Sequence, residues 1–139
     1  MLDRKDRVFL GIAHQLSELG TCERAQVGAI ITKDGRCISW GYNGAPAGLP
    51  HCVHTDDLPC QNATHAEANA ICFAARQGIS TEGGTLYVTL SPCAVCARLT
   101  IAAGIVRVVW SFTYRDPAGS DLLAQAGVEK EVILPNEPL

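Results

Sequence analysis

The sequence predicts an α/β domain in which helices cover a largely parallel sheet that begins with an antiparallel hairpin. Short apolar runs rich in β-branched residues alternate with segments of helical periodicity, and glycine or proline separates most of them. Alternating strands and helices build layered folds, because each helix must bury an apolar face against the sheet. A length of 139 residues fits a single domain over 1–139.

The first elements are a helix and the hairpin. A helix is predicted over 3–19, where apolar residues recur at three- and four-residue steps, and Gly20 is expected at its C-cap. Strands are predicted over 26–32 and 37–42, because both runs are apolar or β-branched. The Asp-Gly pair between them has the chemistry of a tight turn.

Helix and strand then alternate to the end of the chain. The predicted elements are a helix over 65–77, a strand over 85–90, a helix over 93–103, a strand over 107–112, a helix over 120–126 and a strand over 128–134. Ser120 or Asp121 is expected to cap the last helix. The segment 43–64 is rich in glycine and proline without periodicity, which predicts a long loop with a function.

Composition limits the kinds of partner. The net charge is −3 with no basic block, which argues against a nucleic-acid groove but leaves room for a small anionic substrate. No apolar run approaches the roughly 20 residues of a membrane span. The N-terminus is too charged for a signal peptide, so the cytoplasm is the expected compartment. Seven cysteines without an export signal favour metal ligation over disulfides.

Two short motifs supply the ligands for a catalytic metal. His65 and Glu67 are separated by one residue, and Cys93 and Cys96 form a Cys-x-x-Cys pair after a proline. One imidazole and two thiolates suit zinc, which keeps its fourth position for water at catalytic sites. Glu67 is then placed to move protons. This combination is typical of zinc-dependent deaminases, although each motif alone is a weak signal.

Longer stretches resemble the deoxycytidylate (dCMP) deaminase family from about Cys22 to Val128. The Gly-Tyr-Asn-Gly loop distinguishes this family from other cytidine deaminases. The matching stretches are Arg24–Ile31, Gly41–Gly48, His65–Ile71 and Thr85–Cys96. The resemblance implies a three-layer α-β-α cytidine deaminase-like fold with a five-stranded mixed sheet. It also implies hydrolysis of dCMP to dUMP and ammonia, which feeds thymidylate synthesis.

The resemblance also implies roles for individual residues. Zinc would bind His65, Cys93 and Cys96, and Glu67 would be the proton shuttle. The implied substrate contacts are Asn43 to the sugar, the backbone of Ala66 to the pyrimidine, and Ser91. Many members form hexamers that respond to dCTP and dTTP, and the effector loop would begin at Gly44, Ala45 and Pro46. A homo-oligomer, with a hexamer favoured, is therefore expected.

The phosphate and the base need further contacts. Arg24 and Arg115 are the candidates for the phosphate, because a guanidinium can bind phosphate in bidentate fashion. Arg115 is equally well interpreted as a solvated surface residue. Tyr114 is a candidate for stacking on the base, with plain packing as the alternative.

A second, structural zinc site is also predicted. Some family members bind an extra zinc through a cysteine before the first strand and ligands from the long loop, and Cys22 and Cys52 match those positions. With Cys60 and either His54, which is preferred, or His51, they would complete a tetrahedral site. The alternative is free thiols and a surface histidine. Two further cysteines inside predicted elements, Cys37 and Cys72, are interpreted as buried core residues.

Two other functions remain open. The chain could deaminate another substrate, such as dCTP, a 5-substituted dCMP, cytidine or adenosine in tRNA. It could also be a non-catalytic zinc- and nucleotide-binding protein of the competence type. The presence of Glu67 argues against the second, because a structural zinc site does not need that carboxylate.

Overall fold

The structure is a computed structural model that describes residues 3–22, 25–52 and 62–134. The predicted helices and strands are all present, with most ends shifted by one or two residues. In chain order they are α1 (Arg4–Ser17), β1 (Gly28–Lys33), β2 (Arg36–Tyr42), α2 (Ala66–Arg76), β3 (Thr85–Leu90), α3 (Ala94–Ala102), β4 (Arg107–Phe112), α4 (Ala118–Gln125) and β5 (Glu129–Val132).

The five strands form one mixed sheet in the order β2-β1-β3-β4-β5. β1 is antiparallel to both β2 and β3, whereas β4 is parallel to β3 and β5. The expectation of a largely parallel sheet was therefore wrong for one pairing beyond the hairpin. Because the chain crosses over through α2 between β2 and β3, these two strands run in the same direction. β3, however, pairs with β1, which runs in the opposite direction.

Helices cover both faces of the sheet and confirm the three-layer architecture. Successive strand residues alternate between the faces, so Ile30, Tyr87 and Val109 pack with α1. The other face packs against α2, α3 and α4 and contains the larger core, which includes Ala29, Ile31, Leu86, Val88, Val108, Trp110, Ala66, Ala97 and Leu123. Active-site elements thus lie over the more apolar face.

Two predicted helix caps are corrected. The C-cap of α1 is Glu18, and Gly20 lies beyond the helix without a positive φ. A Cβ at Gly20 would lie 2.5 Å from Asn43 Oδ1, so this glycine provides space rather than a turn. At α4 the N-cap is Pro117, and the backbone N–H of Ala118 donates to Asp116 Oδ1 at 3.0 Å. The expected caps Ser120 and Asp121 therefore lie inside the helix.

The interpretation of Cys37 and Cys72 as buried core residues is also wrong, because both are exposed. Cys37 lies on β2, which is an edge strand and leaves part of its surface open. Cys72 lies on the side of α2 that faces away from the sheet. Within the three described ranges, no helix is long and apolar enough to cross a membrane.

Candidate active site

The two motif segments meet at the beginnings of two helices. His65 is the N-cap of α2 and Cys93 is the N-cap of α3, and neither side chain caps its own helix. Both side chains can therefore point toward a shared centre, where Cys96 joins them from the first turn of α3. The positive ends of two helix dipoles meet here and favour negatively charged ligands such as thiolates.

The donor atoms have the spacing of a tetrahedral zinc site. His65 Nδ1 lies 3.6 Å from Cys93 Sγ and 3.4 Å from Cys96 Sγ. Zinc bonds of about 2.3 Å to sulfur and about 2.0 Å to nitrogen, at tetrahedral angles, separate such donor atoms by roughly 3.5 Å. The three ligand atoms lie within 4.8 Å of one another. The donor set therefore fits zinc in both chemistry and distance.

Burial differs among the three ligands. Cys96 is buried, Cys93 is intermediate and His65 is exposed, so the donor set is covered on one side and open on the other. Catalytic zinc sites have three protein ligands and one open position, whereas structural sites are closed by four. The exposure pattern therefore favours a catalytic centre.

The two thiols share their protons unequally. Hydrogen bonds from Cys96 and His65 lower the pKa of Cys93 to about 3. Its hydrogen bond with Cys93 and its burial raise the pKa of Cys96 above the ordinary value. A thiol pair at this spacing titrates as a unit, with Cys93 giving up its proton first. The lowered pKa of Cys93 favours the thiolate form that binds a metal ion.

Glu67 is a buried carboxylate beside this centre. It is 4% exposed in the first turn of α2. Burial raises its pKa above the ordinary value, opposed by a hydrogen bond from its own backbone N–H and by the charge of His65. A raised pKa makes a carboxylate a better proton acceptor than an ordinary glutamate, which suits a general base.

A cavity of about 360 Å³ opens onto these groups. The described residues that line it are Cys22, Ala25, Val27, Asn43, Ala63, His65, Ala66, Glu67, Leu90, Ser91, Cys93 and Tyr114. The structure thus brings Asn43, Ala66, Ser91 and Tyr114 together around Glu67, although their contacts with a substrate stay a prediction. The volume is sufficient for a small ligand such as a nucleotide.

Asn43 also has a structural task that the sequence did not reveal. Its Oδ1 accepts from the backbone N–H of Val27 at 2.7 Å, and its Nδ2 donates to the carbonyl of Ala25 at 2.6 Å. These bonds fix the amide plane at the cavity wall. An amide retains a second N–H and a second lone pair, so a further contact with a sugar hydroxyl is compatible with this position.

Ser91 positions the loop that carries Tyr114. Its Oγ accepts from the backbone N–H of Tyr114 at 2.7 Å, and its own N–H donates to Phe112 at 2.8 Å. Ser91 is 5% exposed, so this bond is made away from solvent. Sequence reasoning missed this link because the two residues lie on different strand ends.

Several predicted site residues lie elsewhere. Arg115 is exposed and does not line the cavity. Arg24, His54 and Cys60 lie outside the described residues. Cys22 and Cys52 are buried, each 8% exposed, and Cys22 contributes to the cavity wall. The predicted effector residues Gly44, Ala45 and Pro46 line a different groove of about 410 Å³, together with His51, Trp40, Tyr42, Phe73 and Arg76.

Comparison with known proteins agrees with this geometry. The family model described as "Cytidine and deoxycytidylate deaminase zinc-binding region" matches residues 3–112. That range contains His65, Glu67, Cys93 and Cys96.

Individual relatives cover most of the chain. A deoxycytidylate deaminase of Enterobacteria phage T4 is 37% identical over 169 residues, covering 90% of this chain and 88% of the relative. ComE operon protein 2 of Bacillus subtilis is 38% identical over 133 residues, covering 92% and 70%. The solved structure of the dCMP deaminase of cyanophage S-TIM5 in complex with dCMP and dUMP superposes with a TM-score of 0.90 at 33% identity, covering 96% and 99%.

Proposed function

This chain belongs to the cytidine and deoxycytidylate deaminase family, and we propose that it hydrolyses dCMP to dUMP and ammonia. The dUMP would supply thymidylate synthesis. One observation carries the proposal: the donor cluster of His65, Cys93 and Cys96 and the buried Glu67 adjoin one cavity, which His65, Cys93 and Glu67 line. The likeness to a dCMP deaminase in complex with dCMP and dUMP supports the choice of substrate.

The protein groups divide the chemistry between them. Zinc held by His65, Cys93 and Cys96 would lower the pKa of a bound water molecule to near neutral pH. The carboxylate of Glu67 takes a proton as water adds to C4 of the cytosine. It passes this proton to N3 of the ring, then takes the proton of the new C4 hydroxyl and gives it to the amino group, so that the carbonyl forms, the C4–N bond breaks and ammonia departs. The raised pKa of Glu67 suits a group that must accept and release protons in turn.

The remaining cavity residues bind and orient the nucleotide. Ala66 begins α2, so its backbone N–H has no partner within the helix and is placed to meet the pyrimidine. Asn43 binds the sugar hydroxyl, and Tyr114, held by Ser91, stacks on the base. Arg24 and Arg115 bind the phosphate. Arg115 follows Tyr114 directly, so it is next in the chain to a residue of the cavity wall.

A steady-state assay tests the function directly. Zinc-loaded protein is mixed with dCMP, and the loss of cytosine absorbance is followed together with ammonia release. We expect turnover of dCMP with a higher kcat/KM than for cytidine or a tRNA stem-loop. Absence of turnover on dCMP, dCTP and 5-substituted dCMP, with zinc bound, would refute the proposal.

A second, structural zinc is proposed at the long loop before α2. Cys22 and Cys52 are both buried, which is the environment of a structural ligand. With Cys60 and His54, or His51 in its place, they would complete a closed tetrahedral site. Two zinc ions per chain in the purified protein, falling to one in Cys52→Ser with dCMP turnover retained, would support this assignment. One zinc in the wild-type protein would contradict it.

Regulation and assembly are a further part of the proposal. The groove lined by Gly44, Ala45 and Pro46 is separate from the catalytic cavity, and it offers aromatic rings and the cation of Arg76 to a nucleotide. We expect dCTP to activate the enzyme and dTTP to inhibit it. We also expect a homo-oligomer, with a hexamer favoured. The cytoplasmic location expected from the sequence stays a prediction.

A further inference from the structure

Asn69 is, besides Glu67, the polar residue in the alanine-rich first half of α2. Its neighbours are Ala66, Ala68 and Ala70, and asparagine in a helix interior costs about 0.6 kcal/mol relative to alanine. The side chain is half-buried rather than solvated. An unfavourable residue at such a position needs a compensating interaction.

The side-chain amide of Asn69 holds two backbone segments at once. Its Nδ2 donates to the carbonyl of Tyr42 at 2.7 Å and to the carbonyl of Thr64 at 3.3 Å. Tyr42 is the last residue of β2 and is followed directly by Asn43. Thr64 directly precedes His65. One amide therefore joins the segment of the predicted sugar contact to the segment of the metal ligand.

Two neighbouring features complete this arrangement, which we call the Asn69 clamp. The backbones of Gly44 and Thr64 pair in both directions, at 3.1 Å and 2.8 Å. A Cβ at Gly41 would lie 2.6 Å from the carbonyl oxygen of Ala66, so only glycine lets α2 approach β2 this closely. The close approach brings the Asn69 amide within reach of Tyr42.

We propose that Asn69 is a positioning residue for deamination, whose amide sets the distance between Asn43 and the His65–Glu67 helix start. The inference rests on the proposed function, because it assigns the sugar to Asn43 and the reacting base to Glu67. Errors of about 1 Å in such a distance can cost a hundredfold in rate. The Asn69 side chain lines the groove beside Gly44 rather than the substrate cavity, and its backbone N–H donates to the carbonyl of His65 at 2.9 Å as part of α2.

The test compares Asn69→Asp and Asn69→Ala with Asn62→Asp. Aspartate keeps the shape but replaces the donor with a charge that repels both carbonyls. Asn62 is the matched control, since among the described residues its Nδ2 makes one long contact, of 3.4 Å, with the carbonyl of Pro50. Each protein is loaded with zinc to the same content. The kcat and KM are measured for dCMP and for 2′,3′-dideoxy-CMP, which lacks the sugar hydroxyl available to Asn43.

We expect kcat on dCMP to fall about 10-fold in Asn69→Ala and about 100-fold in Asn69→Asp, at unchanged zinc content. The ratio of kcat/KM for dCMP to that for the dideoxy compound should fall toward one in both Asn69 variants. In Asn62→Asp, kcat and this ratio should stay within about twofold of wild type. General destabilisation would leave that preference unchanged.

Hydrogen exchange at the Gly44 and Thr64 amides provides an independent readout, and it should be faster in Asn69→Ala. An unchanged substrate preference or unchanged exchange would overturn the inference. Failure of wild-type protein to deaminate dCMP would instead refute the proposed function, and the exchange result would still decide whether Asn69 holds the two segments together.

Discussion

Two buried carboxylates lie at opposite ends of the sheet and have opposite electrostatic surroundings. Glu67 lies near the carboxyl end of β3, beside thiols and a histidine, and burial raises its pKa. Asp6 lies near the amino end of β4, where a guanidinium holds its pKa at about 2. Their exposures are similar, at 4% and 2%. Burial alone therefore does not decide what a carboxylate does.

The difference lies in the hydrogen-bond donors. Arg107 donates to both oxygens of Asp6, at 2.7 Å and 2.9 Å, and the hydroxyl of Tyr87 and the backbone N–H of Asp3 donate as well. Arg107 also pairs with Glu131 at 2.8 Å. A carboxylate satisfied in this way stabilises the fold. Among the described residues no guanidinium contributes to the pKa of Glu67, which suits the proton exchange proposed for it.

The strongest test of this contrast is Glu67→Gln. The amide keeps the shape of the side chain but cannot carry protons, so kcat on dCMP should fall at least about 1,000-fold. Zinc content should be unchanged, because the ligands are His65, Cys93 and Cys96. The unfolding free energy at equal zinc loading should stay within about 0.5 kcal/mol of wild type, since no ion pair is lost. Retained turnover would remove Glu67 from the mechanism.

The mirror experiment is Asp6→Asn. The substitution removes the buried carboxylate that pairs with Arg107, although Glu131 still pairs with this guanidinium. The unfolding free energy should therefore fall by about 3 kcal/mol. The kcat of the folded fraction should match wild type, because Asp6 is on the far side of the sheet from the cavity. Urea denaturation and the dCMP assay measure the two effects. Asp34→Asn, at an exposed turn residue, is the control and should change stability by less than about 0.5 kcal/mol.

The residues around Glu67 were largely predictable from the sequence, whereas the ion pair of Asp6 with Arg107 was not. Zinc chemistry restricts its ligands to a few residue types, so His65 and the Cys93–Cys96 pair stood out without knowledge of the fold. Asp6 and Arg107 are separated by 101 positions, and neither differs in type from an ordinary surface residue. Their pairing becomes visible only when α1 packs on the sheet.

The same limit explains the other misses. Periodicity and turn residues located the helices and strands, because these signals are local. The antiparallel pairing of β1 with β3 depends on where a crossover ends, which no local pattern specifies. The Asn69 clamp and the bond from Tyr114 to Ser91 join residues from different elements. The unusual asparagine in an alanine-rich helix was the one local sign of the clamp.

The smallest expected effect is the pH dependence of the contribution that Asp6 makes to the unfolding free energy. The pKa of Asp6 falls from 3.8 to about 2 on folding, which corresponds to about 2 kcal/mol at 1.36 kcal/mol per unit. A lowered folded-state pKa stabilises the protein above the unfolded value and loses that effect as the pH falls through the folded value. The contribution should therefore be complete at pH 5 and below about 1 kcal/mol at pH 2.5.

The difference in unfolding free energy between wild type and Asp6→Asn isolates this contribution, because zinc release and the titration of other carboxyls affect both proteins. That difference should narrow by about 1.5 kcal/mol between pH 5 and pH 2.5. Arg107 stays charged throughout, since its pKa is raised, so the narrowing reports Asp6 itself. A difference that does not change with pH would mean that Arg107 does not hold Asp6 ionised. The opposite pKa shifts of Asp6 and Glu67 could then not be explained by their hydrogen-bond donors.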